Sequence, residues 1–257
     1  MPNLQQIIEL KETYGRLKKT DTRVKEYLLK KSLDTIAINK AFSFNERTIL
    51  EHFNIPPGKP DVIEYFENVK EEDVVLLFID IADFSEITAS ESNKFIASYL
   101  KNYYTRAIPI IYKHGGQIEK LMGDGIICVF GKPFIDVSWP EEFNKAELCS
   151  KEIIDDFRGT NKAVKIALHS GSIKYFKTPV EHYEEYTMIG KPITELFRLE
   201  SVAKKNAINF FKDSIYDGMN PRTKLGMSAF ASDDVKLFGF DVDLKGTDYS
   251  RVRYMKV

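Results

Sequence analysis

The chain has 257 residues and a formal net charge of −1. This length allows one large domain, or one domain with an extension, and it is enough to bury a sizeable core. The near-neutral charge excludes the strongly basic surface of most nucleic-acid-binding proteins, so we expect no nucleic acid as the main partner.

The cysteines and the apolar segments indicate a chain that stays in a reducing compartment. Cys128 and Cys149 are too few for a disulfide framework, and Cys128 falls inside an apolar strand pattern. No apolar run approaches the ~20 residues that span a bilayer. The N-terminus lacks the basic lead and apolar core of a signal peptide. We therefore expect a soluble cytoplasmic protein without direct membrane insertion.

The first part of the chain, residues 1–60, is predicted to be a helical extension. Apolar residues recur at helical spacing from Leu4 and again from Val24, with a break at Thr20-Asp21-Thr22. The segment Pro56-Pro57-Gly58-Lys59-Pro60 is the clearest linker in the sequence. The main domain is therefore expected to span residues 61–257.

Apolar patterns in the main domain alternate between strand and helix. A turn at Ser170-Gly171 is expected to separate two of the strands. The predicted order is strand 74–80, helix 91–113, strands 117–122 and 125–130, helix 141–157, strands 163–169, 172–177 and 186–189, helix 192–204, and strands 207–211, 234–240 and 250–256. Its β-α-β-β-α-β core is the ferredoxin-like motif, so the predicted fold class is α+β, a mixed sheet with flanking helices.

Two aspartates stand where predicted core strands reach the surface. The apolar run from Val74 ends on Asp80, and Asp124 lies in Gly123-Asp124-Gly125, a strong hairpin signal. In a ferredoxin-like layout these strands pair, so the two carboxylates project from one sheet edge. Carboxylate oxygens suit hard cations such as Mg²⁺ or Mn²⁺. The alternative is a surface aspartate and an ordinary Asp-Gly turn.

Three blocks of sequence resemble the class III nucleotidyl cyclases. They are residues 78–85 (FIDIADFS), 120–125 (KLMGDG) and 186–200 (YTMIGKPITELFRLE), and the shorter pieces Gly115-Gly116, 168–171 and 244–246 follow the expected order. The similarity covers about residues 73–257 and implies the ferredoxin-like catalytic domain of that family.

The resemblance also implies a metal and phosphate site. In the family, the ribose 3′-oxygen of a nucleoside triphosphate attacks the α-phosphate, and pyrophosphate leaves. Asp80 and Asp124, with the carbonyl of Ile81, match the residues that hold two Mn²⁺ or Mg²⁺ ions, which activate the hydroxyl and neutralise the triphosphate. The sequence has no P-loop motif, and the loop from Ala82 through Asp83, Phe84 and Ser85 is expected to hold the β- and γ-phosphates through its amides.

Further positions match the family's substrate contacts. Arg198 matches the arginine that stabilises charge at the α-phosphate, and Thr194 replaces the asparagine that orients the ribose. Lys120 and Thr187 match base contacts, and Lys245 is a second phosphate candidate. The alternatives are a solvated helix arginine and a lysine in a common turn.

Within the family, the chain most resembles the bacterial Pycsar pyrimidine (uridylate) cyclases, which make cyclic UMP or cyclic CMP upon phage infection. Asp83 replaces the family's usual glycine, and Leu196 and Phe197 replace small residues. These two bulky side chains are expected to narrow the base pocket and reject a purine; alternatively they face the core. The Lys120–Thr187 pair does not separate ATP from UTP, because an ammonium group suits acceptors on either base.

The resemblance therefore predicts a uridylate cyclase that makes cyclic UMP and pyrophosphate in antiphage defence, with a separate effector that reads the product. It implies a homodimer with two shared active sites, neither protomer being active alone. The alternatives are an adenylate cyclase that makes cyclic AMP, and an inactive nucleotide-binding domain of the same fold.

Overall fold

The computed structural model describes residues 65, 66, 68, 71–177, 186–220 and 236–256. The helical extension predicted for residues 1–60 lies outside this part of the chain. The elements of the described part are β1 (Glu72–Ile81), α1 (Phe84–Thr88), α2 (Asn93–Lys113), β2 (Gln117–Met122), β3 (Gly125–Phe130), α3 (Trp139–Phe157), β4 (Val164–Lys177), β5 (Tyr186–Ile189), α4 (Lys191–Ser201), β6 (Ala207–Phe211), α5 (Ile215–Met219), β7 (Lys236–Asp241) and β8 (Arg251–Lys256).

The chain divides into two compact units. The first comprises Met1–Val69 with Tyr175–Met188, and the second comprises Lys70–Lys174 with Ile189–Val257. In the first unit, the ring of Phe66 packs against the rings of Tyr175 and Tyr186, with centroids 4.6 and 5.8 Å apart. Among the described residues, no helix combines the length and apolar character needed to cross a bilayer.

The second unit is built on a mixed sheet. Its described strands follow the order β2-β3-β1-β4-β6-β8-β7. β1 pairs antiparallel with β3 and β4, whereas β4 pairs parallel with β6. Every residue of β1 from Val74 onward is buried, as expected of a strand covered on both faces. The predicted fold class, an α+β mixed sheet with flanking helices, is confirmed.

Helices cover the two faces of this sheet unequally. The side chains of Val75, Leu77 and Ile79 on β1 join one large core with apolar side chains of α2 and α3. Alternate residues point to the opposite face, where α4 packs. There the ring of Phe78 meets the ring of Phe197 on α4, with centroids 5.4 Å apart. This second face carries the polar side chains described below.

The strands predicted at 117–122, 125–130, 186–189 and 207–211 are confirmed at those bounds. The turn predicted at Ser170-Gly171 is wrong, because β4 runs unbroken from Val164 to Lys177. A Cβ at Gly171 would lie 2.6 Å from Cγ of Pro192, so this glycine allows α4 to approach the strand closely. The short helices α1 and α5 were not predicted, because five residues show too little helical periodicity.

Candidate active site

Asp80 and Asp124 lie at the same edge of the sheet. In the ladders of β1, Asp80 is opposite Gly125 on β3 and opposite Lys165 on β4. Asp124 precedes Gly125 in the β2–β3 hairpin. A Cβ at Gly125 would lie 2.6 Å from Cε2 of Phe78, so the glycine lets the hairpin close against β1 beside Asp80. The predicted convergence of the two aspartates is therefore seen in the structure.

The two carboxylates interact with each other. Burial raises the pKa of Asp124, and the negative charge of Asp80 raises it further. Two close carboxylates repel one another, and a divalent cation bound between them removes that repulsion. The donor set therefore fits a hard cation, although no group of three or more His, Cys, Asp or Glu side chains in the described residues is arranged to hold one.

Two tyrosines of α2 support this edge. The hydroxyl of Tyr103 donates to the carbonyl of Ile79 at 3.1 Å, in the core immediately before Asp80. The hydroxyl of Tyr104 donates to the carbonyl of Gly123, next to Asp124. A Tyr-Tyr pair within a helical apolar pattern predicts only core aromatics. The structure shows that one tyrosine holds the end of β1 and the other holds the hairpin turn.

Lys165 and Glu200 complete the cluster, and the sequence did not single out either residue. The ammonium of Lys165 lies 3.0 Å from Oδ2 of Asp80 and 2.6 Å from Oε1 of Glu200. Burial alone would lower the pKa of Lys165, but its hydrogen bonds to Glu200 and Asp80 outweigh burial and raise it. The sequence does contain one signal for Lys165, which is a charged residue inside the apolar strand pattern of 163–169.

The loop after Asp80 has a strained backbone and an ion pair. Asp83 adopts a left-handed conformation, with φ 58° and ψ 24°, at a position where the family usually has glycine. Its Oδ2 lies 3.0 Å from Nζ of Lys205, and both side chains are exposed. The amide of Ala82 donates to the carbonyl of Ala163 at 2.9 Å, which removes it from the predicted phosphate cradle. The roles predicted for Asp83, Phe84 and Ser85 stay predictions.

Helix α4 has one buried side and one exposed side. Leu196 and Leu199 are fully buried, whereas Thr194 and Arg198, one turn apart, are both exposed on the other side. The prediction that Leu196 narrows a base pocket is therefore wrong, because its side chain lies in the core. Phe197 is 38% exposed and packs edge-to-face on Phe78, two residues before Asp80.

The remaining predicted site residues are spread over the fold. Lys120 lies opposite Ile127 in the β2–β3 ladder, on the sheet face that also carries Asp80. Thr187 belongs to the first unit, where it is half-buried on β5.

Lys245 is exposed in a turn three residues before Asp248, which pairs with Lys191 at the start of α4. Glu200, beside Asp80, is nine residues further along that helix, or ~14 Å at 1.5 Å per residue. The structure therefore places Lys245 in a turn that is linked to the start of α4, whereas Glu200 lies near the end of that helix.

Comparison with known protein families identifies the domain. A sequence model described as the adenylate and guanylate cyclase catalytic domain matches residues 66–239. Adenylate cyclase 1 of Rhizobium meliloti (strain 1021) is 22% identical over 140 residues, which are 52% of this chain and 21% of that protein. An uncharacterized protein of Mycobacterium tuberculosis is 27% identical over 138 residues, 52% of this chain and 24% of that protein. The chain thus matches about a quarter or less of these relatives' length.

Solved structures share the fold. The guanylate cyclase domain of RhGC from Catenaria anguillulae, in complex with GTP, superposes with a TM-score of 0.59 at 20% identity, covering 73% of this chain and 98% of that one. The adenylyl cyclase CyaB from P. aeruginosa superposes with a TM-score of 0.57 at 17% identity, covering 72% and 94%.

Proposed function

Because the chain belongs to the adenylate and guanylate cyclase catalytic domain family, we propose that it converts a nucleoside triphosphate into a 3′,5′-cyclic monophosphate and pyrophosphate. The observation that carries the proposal is the approach of Asp80 and Asp124 at one sheet edge, where burial and then the charge of Asp80 raise the pKa of Asp124. The same sheet face carries α4, from which Arg198 projects.

Asp80, Asp124 and the backbone carbonyl of Ile81 are the groups that hold Mn²⁺ or Mg²⁺ in this proposal, two ions to a site. When bound, these ions acidify the ribose 3′-hydroxyl and neutralise the triphosphate. Asp83, Phe84 and Ser85 form the loop that receives the β- and γ-phosphates, and Lys205 offsets the charge that Asp83 introduces there.

The proposed enzyme is a homodimer whose two active sites are shared. In support, Arg198 and Thr194 stand on the exposed side of α4, and Lys245 lies in a turn that is paired with the start of that helix. In a head-to-tail pair, Arg198 of one protomer stabilises the charge at the α-phosphate held by Asp80 and Asp124 of its partner. Thr194 then orients the ribose, and Lys245 assists with the phosphates.

For the base, we propose UTP as the preferred substrate, with Lys120 and Thr187 as the base contacts. The support is Phe197, a large ring on the exposed side of α4 where the family has a small residue. Its edge-to-face contact with Phe78 fixes its position. A fixed ring excludes a purine by size more effectively than a mobile one. The proposed role is a second-messenger synthase in bacterial antiphage defence, whose cyclic UMP a separate effector reads.

Two other functions have specific support. An adenylate cyclase is compatible with the Lys120–Thr187 pair, which suits adenine as well as uracil. The name of the Rhizobium meliloti relative points the same way. A domain that binds nucleotide without turnover is favoured by Thr194, which stands where the family has an asparagine.

Incubation of the purified protein with ATP, GTP, CTP and UTP in the presence of Mn²⁺, with products identified by mass, separates these functions. We expect cyclic UMP in excess over the other products. Cyclic AMP in excess would make the protein an adenylate cyclase, and no cyclic product from any triphosphate would support the inactive domain. The Asp80→Asn variant is the control for a contaminating cyclase.

A further inference from the structure

The ammonium of Lys165 lies against Asp80, the carboxylate that holds a cation in the proposed function. It bridges Asp80 Oδ2 at 3.0 Å and Glu200 Oε1 at 2.6 Å. The side chains of Lys165, Asp80 and Glu200 are only 23%, 13% and 16% exposed. At these distances and this burial, the positive charge of the ammonium opposes the binding of a divalent cation to the same carboxylate.

The acidic side chains around Lys165 determine where its ammonium can go when a cation binds Asp80. The cluster contains three acidic side chains, those of Asp80, Asp124 and Glu200, and the ammonium of Lys165 contacts two of them. A divalent cation that approaches Asp80 repels the ammonium of Lys165. Lys165 therefore needs another carboxylate when the cation takes Asp80, and Glu200 already accepts its shorter hydrogen bond.

We propose that Glu200 is a positioning residue that retains the Lys165 ammonium when a divalent cation displaces it from Asp80. The inference rests on the cation site of the proposed function. Glu200 acts through Lys165 and does not itself bind the ion. Since Glu200 lies two residues after Arg198 on α4, this exchange of partners also connects the cation at Asp80 to the helix that carries Arg198.

The test measures Mn²⁺ binding without nucleotide, from the loss of the free-ion EPR signal. Glu200→Gln should weaken binding about tenfold, because Lys165 then keeps Asp80 as its one ion-pair partner among the described residues. Lys165→Met should tighten binding, because the competing ammonium is gone. In the Lys165→Met background, Glu200→Gln should weaken binding by about threefold or less, the part due to long-range attraction alone.

Glu147→Gln is a matched control. Glu147 pairs with Lys151 at 2.7 Å on α3. Their side chains are 14% and 23% exposed, which matches the exposure of Glu200 and Lys165. It should leave Mn²⁺ binding unchanged. Melting temperatures report folding of every variant, and Glu200→Asp, which keeps the charge, should retain most of the Mn²⁺ affinity if Glu200→Gln does not fold.

Two results would overturn the inference. Equal losses from Glu200→Gln with and without Lys165 would make Glu200 a direct ligand of the ion. Equal Mn²⁺ binding by the wild type and Asp80→Ala would show that Lys165 and the ion do not compete for Asp80. A protein that shows the predicted pattern of Mn²⁺ binding but makes no cyclic nucleotide would refute the proposed function and still support this inference.

Discussion

Asp80 on β1 lies directly opposite Gly125 on β3, so the second aspartate of the site is one residue from its ladder partner. The close pairing of the hairpin with β1 depends on the absence of a side chain at Gly125, where a Cβ would lie 2.6 Å from Cε2 of Phe78. The ring of Phe78 is in turn held by Phe197 of α4. The hairpin, the central strand and the helix thus meet at the two carboxylates.

Gly125→Ala is expected to impair the site more than the fold. The added methyl group forces Phe78 or the hairpin to move, which costs ~1–3 kcal/mol of unfolding free energy and separates the two aspartates. Mn²⁺ affinity and cyclic nucleotide formation should both fall at least ~tenfold, as a small misplacement of reacting groups predicts.

Gly218→Ala is the control for this variant, because a Cβ at Gly218 has no heavy atom within 4 Å. It should keep full activity. Wild-type Mn²⁺ affinity in a folded Gly125→Ala protein would contradict the account of the hairpin.

The Asp83–Lys205 pair should affect substrate affinity more than stability. An exposed ion pair contributes only ~0.2–1 kcal/mol to folding, and Asp83 is in a backbone conformation that glycine adopts without strain. Lys205→Ala leaves the Asp83 carboxylate uncompensated in the proposed phosphate loop, so KM should rise ~threefold or more with little change in melting temperature.

The double variant Asp83→Gly/Lys205→Ala should recover the wild-type KM, because the uncompensated charge is gone. If the double variant has a KM as high as that of Lys205→Ala, Lys205 contacts the triphosphate by itself and does not act through Asp83.

Leu196 and Phe197 are neighbours with different expected effects. Phe197→Ala removes a 38% exposed ring, so it should increase ATP use relative to UTP with a modest loss of stability. Leu196→Ala creates a cavity in the core and should cost ~2–5 kcal/mol of unfolding free energy without a change in selectivity. Steady-state kinetics with both triphosphates, together with urea unfolding, separate the two. Unchanged selectivity in Phe197→Ala would remove the structural support for UTP.

Stability should fall as the pH rises from about 4.5 to 7, because of Glu142. Burial, and then the nearby charge of Glu72, raise the pKa of Glu142 from 4.5 to about 7 in the folded protein. Between these pH values the folded state therefore binds more protons than the unfolded state. The free energy of unfolding falls as Glu142 loses its proton. The contribution of this group is complete below pH 4.5 and absent above pH 7.

Urea unfolding at pH 5, 6 and 8 checks this prediction. Glu142→Gln should remove most of the decline between pH 5 and 8, whereas Glu141→Gln, on the exposed neighbour, should keep it. A decline of equal size in Glu142→Gln would assign the pH dependence to other groups.

Local patterns predicted the hairpin and its aspartate, because strand alternation and an Asp-Gly turn need only neighbouring residues. The pair formed by Lys165 and Glu200 was not predictable in the same way, because the residues are 35 positions apart and meet only when α4 packs on the sheet. The burial of Leu196 could have been predicted, since Leu196 and Leu199 are three residues apart in a predicted helix and therefore lie on the same side of it. Gly171 indicated a turn because close helix approach and turn formation both favour glycine.

The most direct test of the shared cyclase site mixes two inactive chains. Asp80→Ala removes a proposed cation ligand, and Arg198→Ala removes the group proposed to act from the partner protomer. Each variant alone should make no cyclic nucleotide from UTP and Mn²⁺, while the mixture should recover up to about a quarter of the wild-type rate, because half of the dimers are mixed and each contains one intact site. If labelled subunits exchange and mass spectrometry detects no cyclic nucleotide from the mixture, the shared site is contradicted.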